Sequence, residues 1–193
     1  MISIQDITAK IFADMPTETR FGTQDAECIS KHRSLLLGLE DDIVKGFYDV
    51  LYKYPRTFEI LKNDDRSKRE AVLRSWWQKT LNSDFGDDYW QWQAFVGLVH
   101  IKQKVSNPMM ISMWGWLLIT LSSLLKDKVD EAERIAIATA FGRLAATIQA
   151  LTAESVLVNN LAAITDATGF NHKLLDRLVG LQIDRMINLS RAS

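Results

Sequence analysis

Apolar residues recur along this chain at three- and four-residue intervals, and no segment sustains the every-other-residue alternation of a half-buried strand. That period sets the fold class as all-α, with each helix burying one stripe against its neighbours. The nine glycines and three prolines fall mostly at punctuation points between stripes. A length of 193 residues suits one large domain with a core that needs no staples.

Residues 1–22 read as a leader ending near Phe21-Gly22. Thr23, as N-cap, opens a helix that stops at Gly38. The next begins at Glu40-Asp41-Asp42, where carboxylates suit the positive helix end. It carries Ile43, Phe47, Val50, Leu51 and Tyr54, and Pro55 ends it before a short turn over 58–61. A helix from Asp65 or Ser67 carries Val72, Leu73, Trp76, Trp77 and Leu81, and Asn82 to Gly86 breaks it. Neighbours on a helix point about 100° apart, so one of Trp76 and Trp77 must turn away from the core. Asp87-Asp88 opens a helix carrying Trp92, Phe95, Val96, Val99 and His100.

Asn107 is the expected N-cap of the following helix, with Pro108 at its first position. No charge occurs from Val105 to Leu125, a length that could cross a bilayer. The polar residues among them, Ser106, Asn107, Ser112, Thr120, Ser122 and Ser123, favour a core helix instead, the most buried of the chain. A long helix follows from Asp130 to about 161–163, with Ile135, Ala138, Phe141, Ala145, Ile148 and Leu151 as its stripe. Gly169 marks a stop, and 170–189 form one more helix. The expected division is therefore a leader (1–22), a main domain (23–165) and a helical extension or linker (166–193).

The formal charge is −1, which argues against nucleic-acid or anionic-membrane partners. Cys28 is the only cysteine, and Met1 to Phe12 lacks a signal-peptide pattern, so a reducing, cytoplasmic location is expected. No phosphate-cradling loop, nucleophile elbow, zinc-protease helix or paired-cysteine site is present. Asp84-Phe85-Gly86 copies a kinase tripeptide without its context. Cys28 and His32, four apart, have the spacing of two metal ligands but no further partners, and read as a surface histidine beside a small buried thiol.

His100 stands out. It continues the stripe of Trp92 and Val96, and Gly97, one turn before it, leaves room beside the ring. A neutral imidazole nitrogen on an apolar face suits a proximal haem ligand, though taken alone such a histidine is more often a satisfied core residue. Tyr48, in line with Val44, Leu51 and Tyr52, needs a partner for a buried hydroxyl and is either a packed aromatic or a donor to a bound diatomic.

Both residues lie in longer patterns. Gly46-Phe47-Tyr48-Asp49-Val50-Leu51, then Pro55, resembles the second helix of the sensor globins and protoglobins. Val72-Leu73-Arg74-Ser75-Trp76 with Leu81 resembles their distal helix, and Gly97-Leu98-Val99-His100 followed by Pro108 their proximal segment. The order agrees across residues 25–155, with a longer stretch, Ile101 to Asn107, between histidine and proline than is usual in the family.

The resemblance implies a globin fold with an extra N-terminal segment and a C-terminal helical extension, binding haem b through its iron at His100, with Tyr48 on the distal side. It implies walls from Phe47, Leu51, Val72, Leu73, Trp76, Val96, Met110, Trp114 and Phe141. The expected ligand is a diatomic gas (O2, CO or NO), with oxygen first, and the expected role is a sensor rather than an enzyme. A haem-free interaction module is the alternative, and a haem enzyme with an external reductase a third reading. A homodimer through the helices near 108–125 and 130–163 is implied as well. Trp116, on a different face from Trp114, looks like surplus apolar surface for such an interface.

Overall fold

The computed structural model describes residues 3–191, apart from the His172 side chain, and among them the regular elements are all α-helices. The leader forms one: α1 (Ile4–Asp14) starts at a capping box in which Ser3 Oγ accepts from the Asp6 N–H at 3.1 Å and the Asp6 carboxylate accepts from the Ser3 N–H at 3.2 Å. The Ser3–Asp6 spacing carried that signal in the sequence. Ile7 and Ile11 are buried, and the Phe12 ring meets Trp90 edge-on at 5.3 Å.

The helix expected from Thr23 to Gly38 divides at His32 (φ −100°, ψ 11°) into α2 (Thr23–Lys31) and α3 (Arg33–Leu37). Thr23 is not the cap. Gly22 holds that place, and its N–H donates to the Asp25 carboxylate at 2.9 Å. His32 is buried and Cys28 half-buried, the reverse of the expectation. His32 Nδ1 lies 2.9 Å from the Cys28 carbonyl oxygen and Nε2 3.3 Å from Glu133 Oε1, so both ring nitrogens are engaged. Among the described residues no group of three or more His, Cys, Asp or Glu side chains is placed to hold a metal ion.

Pro55 ends α4 (Glu40–Lys53) as expected but also opens α5 (Pro55–Leu61), because its fixed φ suits a first helical residue. Next come α6 (Arg66–Leu81), capped by the Asp65 carboxylate on the Ser67 N–H, and α7 (Asp87–Lys102). Ser106, not Asn107, is the N-cap of α8 (Asn107–Leu125), where its extended backbone turns the chain into the helix. α4 packs on α5, α6 and α8, α3 on α6, and α1 on α7.

α8 is not the most buried helix. Met113, Trp114, Leu117, Leu121 and Leu125 face inward, while Ile111 and Ile119 stay 46% and 74% exposed. Its other faces are apolar without being covered. Trp116 is spent inside the fold: its ring meets Phe47 at 5.8 Å, and a Cβ on Gly46 would lie 2.9 Å from it. By length and composition, α8 and α9 (Glu131–Thr168) are each long and apolar enough to cross a membrane.

α9 runs past the expected end near 163 to Gly169, whose φ of +72° stops it, and α10 (His172–Arg191) follows. Two compact units are distinguished, dividing within α9 after Ser155. The first, through Ser155, holds a core that includes Leu36, Val44, Trp77, Leu81, Phe141 and Leu144, all at most 1% exposed. The second comprises residues 156–191, where α10 presents exposed Leu178, Leu181, Met186 and Leu189.

Candidate functional site

α7 ends in a way that fixes His100. Lys104 takes a left-handed turn (φ 58°), its N–H donates to the Ile101 carbonyl at 2.9 Å, and the Val105 N–H donates to the His100 carbonyl at 3.0 Å. This is a Schellman closure with lysine in the place glycine usually takes. The longer stretch between His100 and Pro108 is thus an ordered helix stop.

The His100 ring is half-buried, and its Nδ1 lies 2.8 Å from the Val96 carbonyl oxygen. A carbonyl only accepts, so Nδ1 carries the hydrogen and Nε2 keeps its lone pair. Among the described residues nothing hydrogen-bonds Nε2. Burial lowers the pKa below the ordinary histidine value, against the smaller opposing pull of the Val96 carbonyl. The ring is neutral at pH 7 with a free, basic nitrogen, the form a metal requires.

Trp76 and Trp77 divide as their spacing demands. Trp77 is fully buried, its ring tilted against Phe141 at 5.6 Å, with its N–H on the Leu36 carbonyl. Trp76, half-buried, meets Trp114 at 5.6 Å and reaches across to α7, where its Nε1–H donates to Gln93 Oε1 at 3.3 Å. Gln93 is fully buried. Its amide donates to the Tyr89 hydroxyl at 2.7 Å, which donates to Thr80 Oγ1 of α6 at 3.2 Å. Lys79 adds a cation on the face of Trp92 at 3.8 Å. Two turns along α6, Arg69 Nη2 donates to Gln103 Oε1, just beyond α7, at 3.3 Å.

α6 and α7 are therefore bridged by polar groups at both ends of a seam. Between the bridges lie Val72 and Leu73 of α6 and Val96, Val99 and His100 of α7. Val72 is 65% and Val99 40% exposed, apolar surface with no cover. Along this seam the His100 imidazole, with one nitrogen unengaged among the described residues, has the donor chemistry of a haem ligand.

Not every expected wall residue faces that seam. Phe141 packs on Trp77, on the core side of α6. Phe47 turns to Trp116 of α8. Leu51 and Met110 are half-buried, and the Leu51 carbonyl accepts from the Thr57 hydroxyl. Gly97 leaves no room beside the imidazole. Its bare Cα is occupied by α9, where a Cβ would come within 2.9 Å of Thr152 Cα.

Tyr48 is buried, as expected, and burial pushes its pKa up to about 12, so the hydroxyl stays a donor. That donor is in use: it bonds the Arg69 carbonyl of α6 at 2.8 Å. One turn on, the Tyr52 hydroxyl is buried with no hydrogen-bond partner among the described residues. Gln93, Tyr89, Thr80 and Gln103 were not anticipated. The available signal was a glutamine, Gln93, set between Trp92 and Ala94-Phe95.

Helices arranged about such a seam define a globin. The structure matches the globin domain of the Geobacter sulfurreducens globin-coupled sensor with a TM-score of 0.65 and 20% sequence identity, covering 81% of this chain and 99% of that one. Likeness at that identity establishes the fold. The Protoglobin family profile matches residues 7–158, and the chain belongs to the protoglobin family. No curated protein matches the sequence.

Proposed function

We propose that this protein is a haem-based gas sensor, with haem b seated in the α6–α7 seam and its iron held by His100 Nε2. The observation that carries the reading is the imidazole itself: Nδ1–H fixed by the Val96 carbonyl, Nε2 free. The chemistry the group supplies when bound is reversible coordination of a diatomic gas: oxygen first, or carbon monoxide or nitric oxide. Val96, Leu73 and Trp76 exclude water beside it, and Tyr48 offers a hydroxyl on the α4 side once it leaves the Arg69 carbonyl. The matched globin domain is named for a globin-coupled sensor, which supports a signalling role. Purified protein should show a haem Soret band that shifts on reduction and again with carbon monoxide. Protein supplied with haem that never develops the band is not a haem sensor.

One observation favours a second reading, a haem-free interaction module. The seam is closed at both ends by hydrogen bonds, and Tyr48 has a partner without any ligand. The same spectrum separates the two.

We further infer a cytoplasmic homodimer through α8 and α9. Ile111, Gly115 and Ile119 expose one face of α8, and Ala132, Ile135, Ala136 and Thr139 one face of α9. Small residues along such faces let helices of two copies approach closely. Light scattering should give twice 22.0 kDa, and Ile119→Glu should shift it toward monomer. A wild-type monomer at micromolar concentration would remove the dimer from the account.

A further inference from the structure

The helix that carries His100 touches its surroundings mostly through side chains. It meets α6 through Trp76–Gln93 and Lys79–Trp92 and α1 through the Phe12 and Trp90 rings. Contacts of this kind absorb small shifts by changing rotamers.

One contact differs. Trp90, Ala94, Gly97 and Ile101 follow at intervals of four, three and four, and the first three are buried. At Gly97 the helix meets the main chain of α9. A Cβ there would lie 2.9 Å from Thr152 Cα, 3.2 Å from the Thr152 carbonyl oxygen and 3.3 Å from its Cβ. Thr152 cannot yield by turning its side chain. It is 1% exposed, and its hydroxyl donates back to the Ile148 carbonyl at 2.9 Å and lies 3.2 Å from that of Gln149. Two main chains in direct contact in a close-packed interior have no slack, so a displacement of one is passed to the other.

Gly97 stands one turn before His100 on the same unbroken helix. We propose that the Gly97–Thr152 contact is where the state of the site at His100 is handed to α9, the helix that runs on to Thr168. The idea rests on the haem reading. Gly97 is a positioning residue in it, acting through α7 and touching no ligand. Gly97→Ala would crowd the contact and Thr152→Gly would loosen it. Both should uncouple α9 from the site while haem stays bound. Thr152→Val keeps the branched Cβ and removes only the hydroxyl, so it should preserve coupling.

The test is amide hydrogen exchange on haem-loaded full-length protein, reduced and then saturated with carbon monoxide, following peptides from 145–168. Wild type should show a ligand-dependent difference there. In Gly97→Ala and Thr152→Gly that difference should fall about threefold or more, with the Soret band retained and Thr152→Val unchanged. If Gly97→Ala does not fold, Thr152→Gly decides alone. A difference that survives in the variants, or is absent from wild-type α9 despite bound haem, overturns the proposal and leaves the haem assignment standing. Wild type without a Soret band overturns both.

Discussion

The α7 and α4 sides of the candidate site hold their polar atoms in opposite conditions. On α7, His100 has one ring nitrogen satisfied by its own helix and one with no partner among the described residues. On α4, Tyr48 has its only donor already committed, to a carbonyl of the helix opposite. On the proposed reading, a haem iron would complete the first side without breaking anything, and a gas ligand on the second would have to compete with a bond already made. The difference shows that a buried polar residue is poised for a ligand only where its hydrogen-bond capacity is left over by the protein itself.

The sharpest break of this contrast is to remove the proximal nitrogen. His100→Ala should abolish stable haem incorporation, read as loss of the Soret band after gel filtration, with partial recovery in added imidazole. A variant with the wild-type spectrum would mean that another residue holds the iron.

Next in size is the link that holds α6 and α7 at a fixed spacing. Gln93→Leu keeps roughly the same volume but leaves the Trp76 N–H without its acceptor and removes a donor to Tyr89. A lost buried polar partner costs about 1–3 kcal/mol, which urea unfolding of the apo protein would register. Because Gln93 sits on α7 and Trp76 on α6, haem affinity should fall as well. Unchanged stability would mean that the bridge contributes nothing net and that the seam is spaced by apolar packing alone.

The residues at stake explain what the sequence made legible. Helix order, the all-α class and the place of His100 followed from period and stripe, because burial acts on whole faces. α1 was missed because its apolar face is short, with Ile7 and Ile11, and is completed only by Trp90, far away in sequence. Trp116 and Gly97 were misjudged for a related reason. Each looked like spare surface or spare room, and each is filled by a helix whose approach no local pattern encodes: α4 on Trp116, α9 on Gly97. The Gln93 network was equally opaque, since a glutamine in an apolar run declares a buried polar group without naming its partners. Tyr48 was placed on the correct buried face, but the Arg69 carbonyl that takes its hydroxyl belongs to a backbone, and backbones leave no signature in a sequence.

Acid should discriminate the two sides. The folded pKa of His100 lies below the ordinary value of about 6.5, so the unfolded chain takes up its proton at higher pH than the native one. Stability from the neutral ring is thus complete above about pH 6.5 and is lost as pH falls through the lower, folded value. Tyr48, with its pKa raised to about 12, titrates nowhere in that range. The urea midpoint of apo protein should drop between about pH 7.5 and 5.5, and His100→Asn should reduce the drop. Tyr48→Phe should leave it in place. If His100→Asn does not reduce it, the neutral imidazole is not what the native state holds.

The smallest effect is expected at Tyr48, where the competing bond lowers a figure that the sequence alone would set higher. A free distal hydroxyl given to oxygen is worth about 1–1.5 kcal/mol, roughly five- to tenfold in dissociation rate. Here the hydroxyl must first leave the Arg69 carbonyl, and it returns there when the gas departs, so only the difference between the two bonds is felt. Tyr48→Phe should therefore speed oxygen dissociation by less than about fivefold, with a still smaller change for carbon monoxide, a weaker acceptor. The apo protein should at the same time lose about 0.5–1.5 kcal/mol of stability, because the bond between α4 and α6 is gone. The two readings constrain each other. A five- to tenfold rate change without loss of apo stability would show that the hydroxyl is idle in the ligand-free protein, and the contrast between the two sides would fall. Loss of apo stability with no kinetic change would make Tyr48 a strut between helices. Tyr52→Phe is then the decisive companion. Its hydroxyl is buried and, among the described residues, has no hydrogen-bond partner, so faster oxygen dissociation in that variant alone would move the distal donor one turn along α4.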